Sequence, residues 1–237
     1  MNDKVLFVIA ALNEEKNITH VLLDIKKYFP SSEVLVVDGC SKDKTVEVSV
    51  EHGAHVIEVS KYFGIGGAIE AGMLYAFNHK FDVMIRIDAD GQHEPFEVLK
   101  IYEEFKKKNL DLVIGSRFLG ASNYKPNLLR SFAINLIAKL MKLCYGVKIT
   151  DCTSGCHIYS KRLLTFFARD INFNYSEVSV VCLSHKAGFS IKECFINMQE
   201  RRMGVSSFGF KNAFFYVFRN IVDVIFTMPF RLKRDEL

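Results

Sequence analysis

Five short runs rich in valine and isoleucine, KVLFVIAA, EVLVVD, AHVIEV, DVMIRID and DLVIGS, divide the first half of the chain. Between them lie stretches with apolar residues at helical spacing, such as Ile18, Val21, Leu22, Ile25 and Phe29, or Phe96, Leu99, Tyr102 and Phe105. Near-continuous apolar runs suit strands of a sheet covered on both faces, and a strand that returns parallel needs a crossover, usually a helix. The alternation therefore restricts the chain to an α/β fold, a mostly parallel sheet flanked by helices. The four prolines, Pro30, Pro95, Pro126 and Pro229, fall at the element boundaries that this reading sets. With 237 residues, 49% of them hydrophobic, the chain can bury one sizeable core.

In such sheets ligands bind beyond the carboxyl ends of the strands. Asn13 and Glu14, Asp38, Asp88 and Asp90, and Ser116 and Arg117 follow the apolar runs there. A dinucleotide site does not fit. AALNEE puts acids where a glycine turn should receive pyrophosphate, and GIGGAIEAG has Ile69 where G-x-G-x-x-G needs its last glycine. The phosphate-cradling G-x-x-x-x-G-K-[ST] is absent as well. A net charge of +4 is too small for a nucleic-acid binder. The six cysteines are scattered, and VLFVIAAL runs into Asn13-Glu14-Glu15 without a small-residue cleavage site, so reduced thiols in a cytoplasmic protein are expected. Cys152-x-x-x-Cys156-His157 has the wrong spacing for haem attachment, and the final RDEL reads as a charged tail.

Acids that face a diphosphate need a cation between them. Asp88 and Asp90, two apart where an apolar strand reaches the surface, can hold Mg²⁺ or Mn²⁺, with water and phosphate oxygens in its remaining positions. The same Asp-Ala-Asp-Gly also suits a polar turn closed by an Asx-type hydrogen bond.

The motifs AALNEEKNI, VVDGCSKDKT, GIGGAIEAG, RIDADGQHEP, DLVIGSR, DCTSG and ERRMGVSS stand in the order and spacing of the family 2 glycosyltransferases. The chain most resembles the branch of polyprenyl-phosphate (dolichol-phosphate) mannosyl- and glucosyltransferases, and its GVSS ending looks like bacterial polysaccharide-cluster members. The resemblance runs from about residue 4 to about residue 210 and implies a GT-A fold that binds a nucleotide-sugar and transfers one hexose with inversion. It implies that Glu14 and Asp38 contact the nucleoside, that Asp88, Ala89 and Asp90 line the diphosphate with the metal on the two acids, and that Gln92 lies near the sugar. Arg117, Arg201, Arg202 and Ser206 would serve donor or acceptor phosphates. Three positions depart from the family: Asp38-Gly39-Cys40-Ser41 lacks one acid, and Ile65 and Ser207 stand where lysines are common. Two lost cations near phosphate weigh against mannosyl transfer in particular.

A metal on the departing nucleoside diphosphate acts as a Lewis acid. A polyprenyl monophosphate acceptor, with a second pKa of about 6 by analogy with phosphorylated side chains, arrives ionised and needs no base. A sugar hydroxyl on a lipid-linked glycan would need one, worth roughly 10²–10⁴-fold, and Glu177 in NYSEVS is the candidate. The other reading of Glu177 is an acid in the first turn of a helix.

From Gln199 onward there are seven basic side chains against four acidic ones. Between Asn212 and Met228, the residues Asn212, Tyr216, Arg219, Asn220, Asp223 and Thr227 form one polar stripe on an otherwise apolar helix. Central charges, each costing roughly 2.5–3.5 kcal/mol to insert, argue against a membrane span. An amphipathic interfacial helix at an anionic membrane surface is expected instead, or a helix packed on the catalytic domain or on a small membrane-protein or homo-oligomeric partner. The expected division is a catalytic domain over 1–207 and a membrane-associating segment over 208–237. Pro126 to Tyr145 has the same character more weakly, and Arg130 there is a candidate for the lipid phosphate. A non-catalytic nucleotide-sugar-binding scaffold and a nucleotidyltransferase are the remaining alternatives.

Overall fold

The computed structural model describes residues 3–60, 64–120, 128–169, 176–199 and 218–225. All five expected runs form strands: β1 (Val5–Ala11), β2 (Glu33–Asp38), β3 (His55–Glu58), β4 (Val83–Asp88) and β5 (Leu112–Ser116). Between and after them lie helices α1 (Glu15–Tyr28), α2 (Thr45–Glu51), α3 (Gly64–Asn78), α4 (Pro95–Lys107), α5 (Leu128–Tyr145), α6 (Lys161–Arg169) and α7 (Glu177–Lys186). Two strands lack an apolar signature. β6 (His157–Ser160) has four residues, and β7 (Ile191–Phe195) is largely half-buried, so neither reads as a run.

The sheet has the order β3-β2-β1-β4-β6-β5-β7, parallel throughout except for β6, which runs antiparallel to both β4 and β5. The two-residue period of the strands sorts side chains into two apolar layers. Leu6 and Val8 pack with Ala68, Ile69 and Met73 of α3, whereas Phe7 and Ile9 pack with Ile18, Val21 and Ile25 of α1 and Val98 of α4. A Cβ on Gly72 would lie 2.7 Å from Val8 Cγ1, so the glycine-rich α3 can seat closely on β1. α1 and α4 carry acids in their first turns and lysines in their last, matching the helix dipole.

β6 sets His157 opposite Arg86 of β4. Burial, together with the charge of Arg86, pushes the His157 imidazole down to about 3. The ring is therefore neutral and shares a 2.8 Å hydrogen bond between Nδ1 and the Tyr159 hydroxyl. As pH falls below 6.5 the unfolded chain protonates this histidine and the native one does not, so native stability drops until the native ring titrates near 3. In urea melts between pH 6 and pH 4, His157→Gln should reduce this slope by up to about 1.4 kcal/mol per pH unit. Identical slopes in the two proteins would refute the burial argument.

Residues 218–225 form a further helical segment. Asn220 and Val224 are buried, and Ile221 packs against the α3 layer. The Tyr145 hydroxyl donates to the Val224 carbonyl at 2.7 Å. Here the polar residues Asn220 and Asp223 are covered or half-covered, and Phe218 and Ile225 face outward. Among the described residues no helix is long and apolar enough to cross a membrane.

Candidate active site

The strand order reverses at β1, whose neighbours β2 and β4 continue in opposite directions across the sheet. Asp38 stands in register with Ala11 and Asp88 with Ala10, one on each side of β1. Two interstrand spacings, about 10 Å, separate them, a distance suited to an elongated ligand lying across the end of β1.

The loops after β1 and β2 are knitted together. The Asn13 amide donates to Ser41 Oγ and the Lys42 amide to Asn13 Oδ1, both at 2.8 Å. Asn13 and Cys40 take positive φ values of 56° and 63° to make these turns. Asp38, fully buried, accepts from the Ser41 amide at 2.8 Å and the Ser41 hydroxyl at 2.5 Å. Glu14, also buried, accepts from Asn17 Nδ2 at 2.7 Å, and its amide donates to Thr45 Oγ1 at 2.8 Å. Both acids expected at the nucleoside are engaged in building these loops.

β4 presents Arg86 and Asp88 on one face. The Arg86 guanidinium is buried, and its NH2 lies 3.3 Å from Asp88 Oδ1 and 3.0 Å from Glu177 Oε1. His93, buried in the loop before α4, sets Nε2 3.8 Å from Asp88 Oδ2. Burial works to raise the Asp88 pKa, but His93, Arg86 and Arg117 together outweigh it and hold the carboxyl well below the usual carboxylate range. Gly155 abuts the same carboxylate, where a Cβ would meet Asp88 Oδ2 at 2.0 Å.

Asp90 lies just past β4 in a turn with Gly91 at φ 74°, and its Oδ1 accepts from the Gln92 amide at 3.1 Å. The turn reading of the tripeptide therefore holds for Asp90. Ala89 packs its side chain in the layer of α1 and α4, which leaves its backbone as the part that can face a donor. Gln92 Nε2 donates to the Gln199 carbonyl and the Gln199 amide donates to the Gln92 carbonyl, both at 3.0 Å. This pairing joins the loop after β4 to the chain just before Arg201 and Arg202.

Two further expected site residues have charged partners within the protein. Arg117, read as a phosphate ligand, is buried and forks onto Asp151, with Nε 2.6 Å from Oδ2 and NH2 2.5 Å from Oδ1, and reaches Thr153 Oγ1 at 3.0 Å. Its charge is felt at Asp88, but its hydrogen bonds hold the DCTSG loop, where Ser154 Oγ also donates to the Gly115 carbonyl. Glu177 does stand in the first turn of α7, after the N-cap Ser176, but its buried carboxylate is ion-paired to Arg86. The side chain of Arg130 and the whole of Arg201, Arg202 and Ser206 lie outside the described residues.

Sequence reasoning missed Arg86, His93, Asp151 and Gly155. One signal was available: an arginine inside the apolar run DVMIRID needs a buried counter-charge.

The donor set suits a hard divalent cation. The Asp88 carboxyl is held well below the usual carboxylate range, Asp90 adjoins it, and the lack of a Cβ at Gly155 lets that carboxylate stand where it does. Among the described residues no group of three or more potential His, Cys, Asp or Glu ligands comes together. Water and ligand oxygens would complete the shell, as magnesium favours.

An α/β sheet with acids gathered at its switch point defines a class that binds polar ligands there, and comparison with known proteins narrows it. The model of glycosyl transferase family 2 matches residues 6–166, and the chain belongs to that family. The uncharacterized protein MJ1222 of Methanocaldococcus jannaschii is 34% identical over 197 residues, 81% of this chain and 79% of that protein. The undecaprenyl-phosphate mannosyltransferase of Micrococcus luteus is 30% identical over 217 residues, 86% of each chain. Among solved structures, the glucosyl-3-phosphoglycerate synthase of Mycobacterium tuberculosis, in complex with Mn²⁺, uridine diphosphate and glucosyl-3-phosphoglycerate, is similar with a TM-score of 0.73. At 20% identity, over 98% of this chain and 82% of that one, it speaks for the fold alone. The fold is GT-A, and the protein is a glycosyltransferase.

Proposed function

We propose that the protein transfers one hexose from a nucleotide-sugar to a polyprenyl phosphate at a membrane surface, with inversion at the anomeric carbon and with Mg²⁺ or Mn²⁺ at Asp88 and Asp90. The observation that carries this reading is geometric: Asp88 ends β4 with Asp90 just beyond it, across β1 from Asp38. Glu14 and Asp38 build the floor on which a nucleoside would lie, and the diphosphate would reach toward β4. A bound cation would supply Lewis-acid stabilisation of the departing diphosphate. The similarity to the undecaprenyl-phosphate mannosyltransferase supports a lipid phosphate as acceptor. So does the pairing of Glu177 with Arg86, because a hydroxyl acceptor would need a carboxylate ready to take its proton.

The division into a catalytic domain over 1–207 and a membrane-associating segment over 208–237 belongs to the same proposal, as do Arg130, Arg201, Arg202 and Ser206 as acceptor-phosphate contacts. Outward-facing Phe218 and Ile225 support it, together with α5, which exposes Phe132 (69%) and Leu143 (83%) beside the exposed Lys139 and Lys142. Apolar residues mixed with lysines suit the headgroup region of an anionic bilayer.

The test is incubation of the protein with radiolabelled nucleotide-sugars, polyprenyl phosphate and Mn²⁺, with and without chelator. Label should enter an organic-extractable lipid only when the cation is present. Label that stays in the aqueous phase with every donor would overturn the proposal.

A further inference from the structure

Arg86 poses a problem for any cation site at Asp88. A guanidinium 3.3 Å from Asp88 Oδ1 is itself a counter-ion for that carboxylate and competes with a metal for its charge. It is also among the largest fully buried side chains of the protein, and a buried arginine is expensive unless paired. The pairing comes from a distant part of the chain. Ser176 caps α7, and the first residue of the helix, Glu177, projects a buried carboxylate that meets Arg86 NH2 at 3.0 Å, closer than Asp88 does.

We propose that Glu177 is a positioning residue: by taking up the charge of Arg86 it leaves the charge of Asp88 to the cation. The inference rests on the cation reading above. It assigns Glu177 a task in the donor half of the reaction, before any acceptor arrives, and so separates it from a proton acceptor. With Glu177 neutral, Arg86 has Asp88 as its nearest carboxylate among these contacts, and the site offers a cation less negative charge. With both partners replaced by methionine, the competing guanidinium disappears along with its counter-charge, and the volume is retained.

The experiment measures Mn²⁺ binding by the loss of the free-ion electron paramagnetic resonance signal, in the whole protein, without acceptor, and with uridine or guanosine diphosphate as probe. Glu177→Gln should weaken Mn²⁺ binding about tenfold, in the range found for residues that orient metal ligands. Arg86→Met combined with Glu177→Met should bind within about threefold of the parent, since exchanging a whole buried pair for apolar groups can be tolerated. If the parent protein binds no Mn²⁺, the cation reading itself fails. If the parent binds and Glu177→Gln binds equally well, the positioning role is refuted and any loss of turnover returns Glu177 to the acceptor side. Should Glu177→Gln fail to fold, the double variant decides alone: tenfold or weaker binding overturns the inference.

Discussion

Asp88→Asn should lower sugar transfer about 10³-fold, the equivalent of several kcal/mol of leaving-group stabilisation. Asparagine has the same shape, so β4 and its register with β1 should persist. What disappears is a full negative charge that His93, Arg86 and Arg117 hold in place against the cost of burial. Arg86 keeps Glu177 as a partner, which should spare the variant a wholly unpaired buried cation. Calorimetry with Mn²⁺ and the donor should record no heat for the variant under conditions that saturate the parent, and its circular dichroism spectrum should match the parent's. Transfer within tenfold of the parent would remove Asp88 from the cation site.

Gly155→Ala should weaken cation-dependent donor binding by about 10- to 100-fold without unfolding the protein. The reason is steric. The added methyl would stand 2.0 Å from Asp88 Oδ2, 2.6 Å from Cγ and 2.9 Å from Oδ1, all inside van der Waals contact. Something must move, and the Asp88 side chain is the nearer and lighter group. Its carboxylate would be driven out of the place it holds beside Gly155 and Asp90. The loop itself is anchored separately, by Arg117 on Asp151 and by Ser154 on the Gly115 carbonyl, so the fold should hold. Titrating Mn²⁺ in the presence of donor and recording the thermal midpoint of both proteins checks this. A normal affinity would mean that Asp88 can yield without consequence.

The strands that carry the acids were legible because their information is local. Short β-branched runs such as EVLVVD suit strands buried on both faces of a covered sheet, and the residue that ends the run marks the ligand side. Asp38, Asp88 and Asp90 were found that way. β7 was not, since IKECF carries polar residues at half-buried positions and presents no run.

Periodicity and charge within a few residues were enough for the α/β sheet, the end of that sheet at which acids gather, and the identity of those acids. Tertiary structure alone decided the partners. Arg117 belongs to Asp151, 34 residues away, Arg86 belongs to Glu177, and Gly155 yields its volume to Asp88. A buried charge must be matched, but the rule does not name its mate, because the folded chain can deliver a counter-charge from any distance along the sequence.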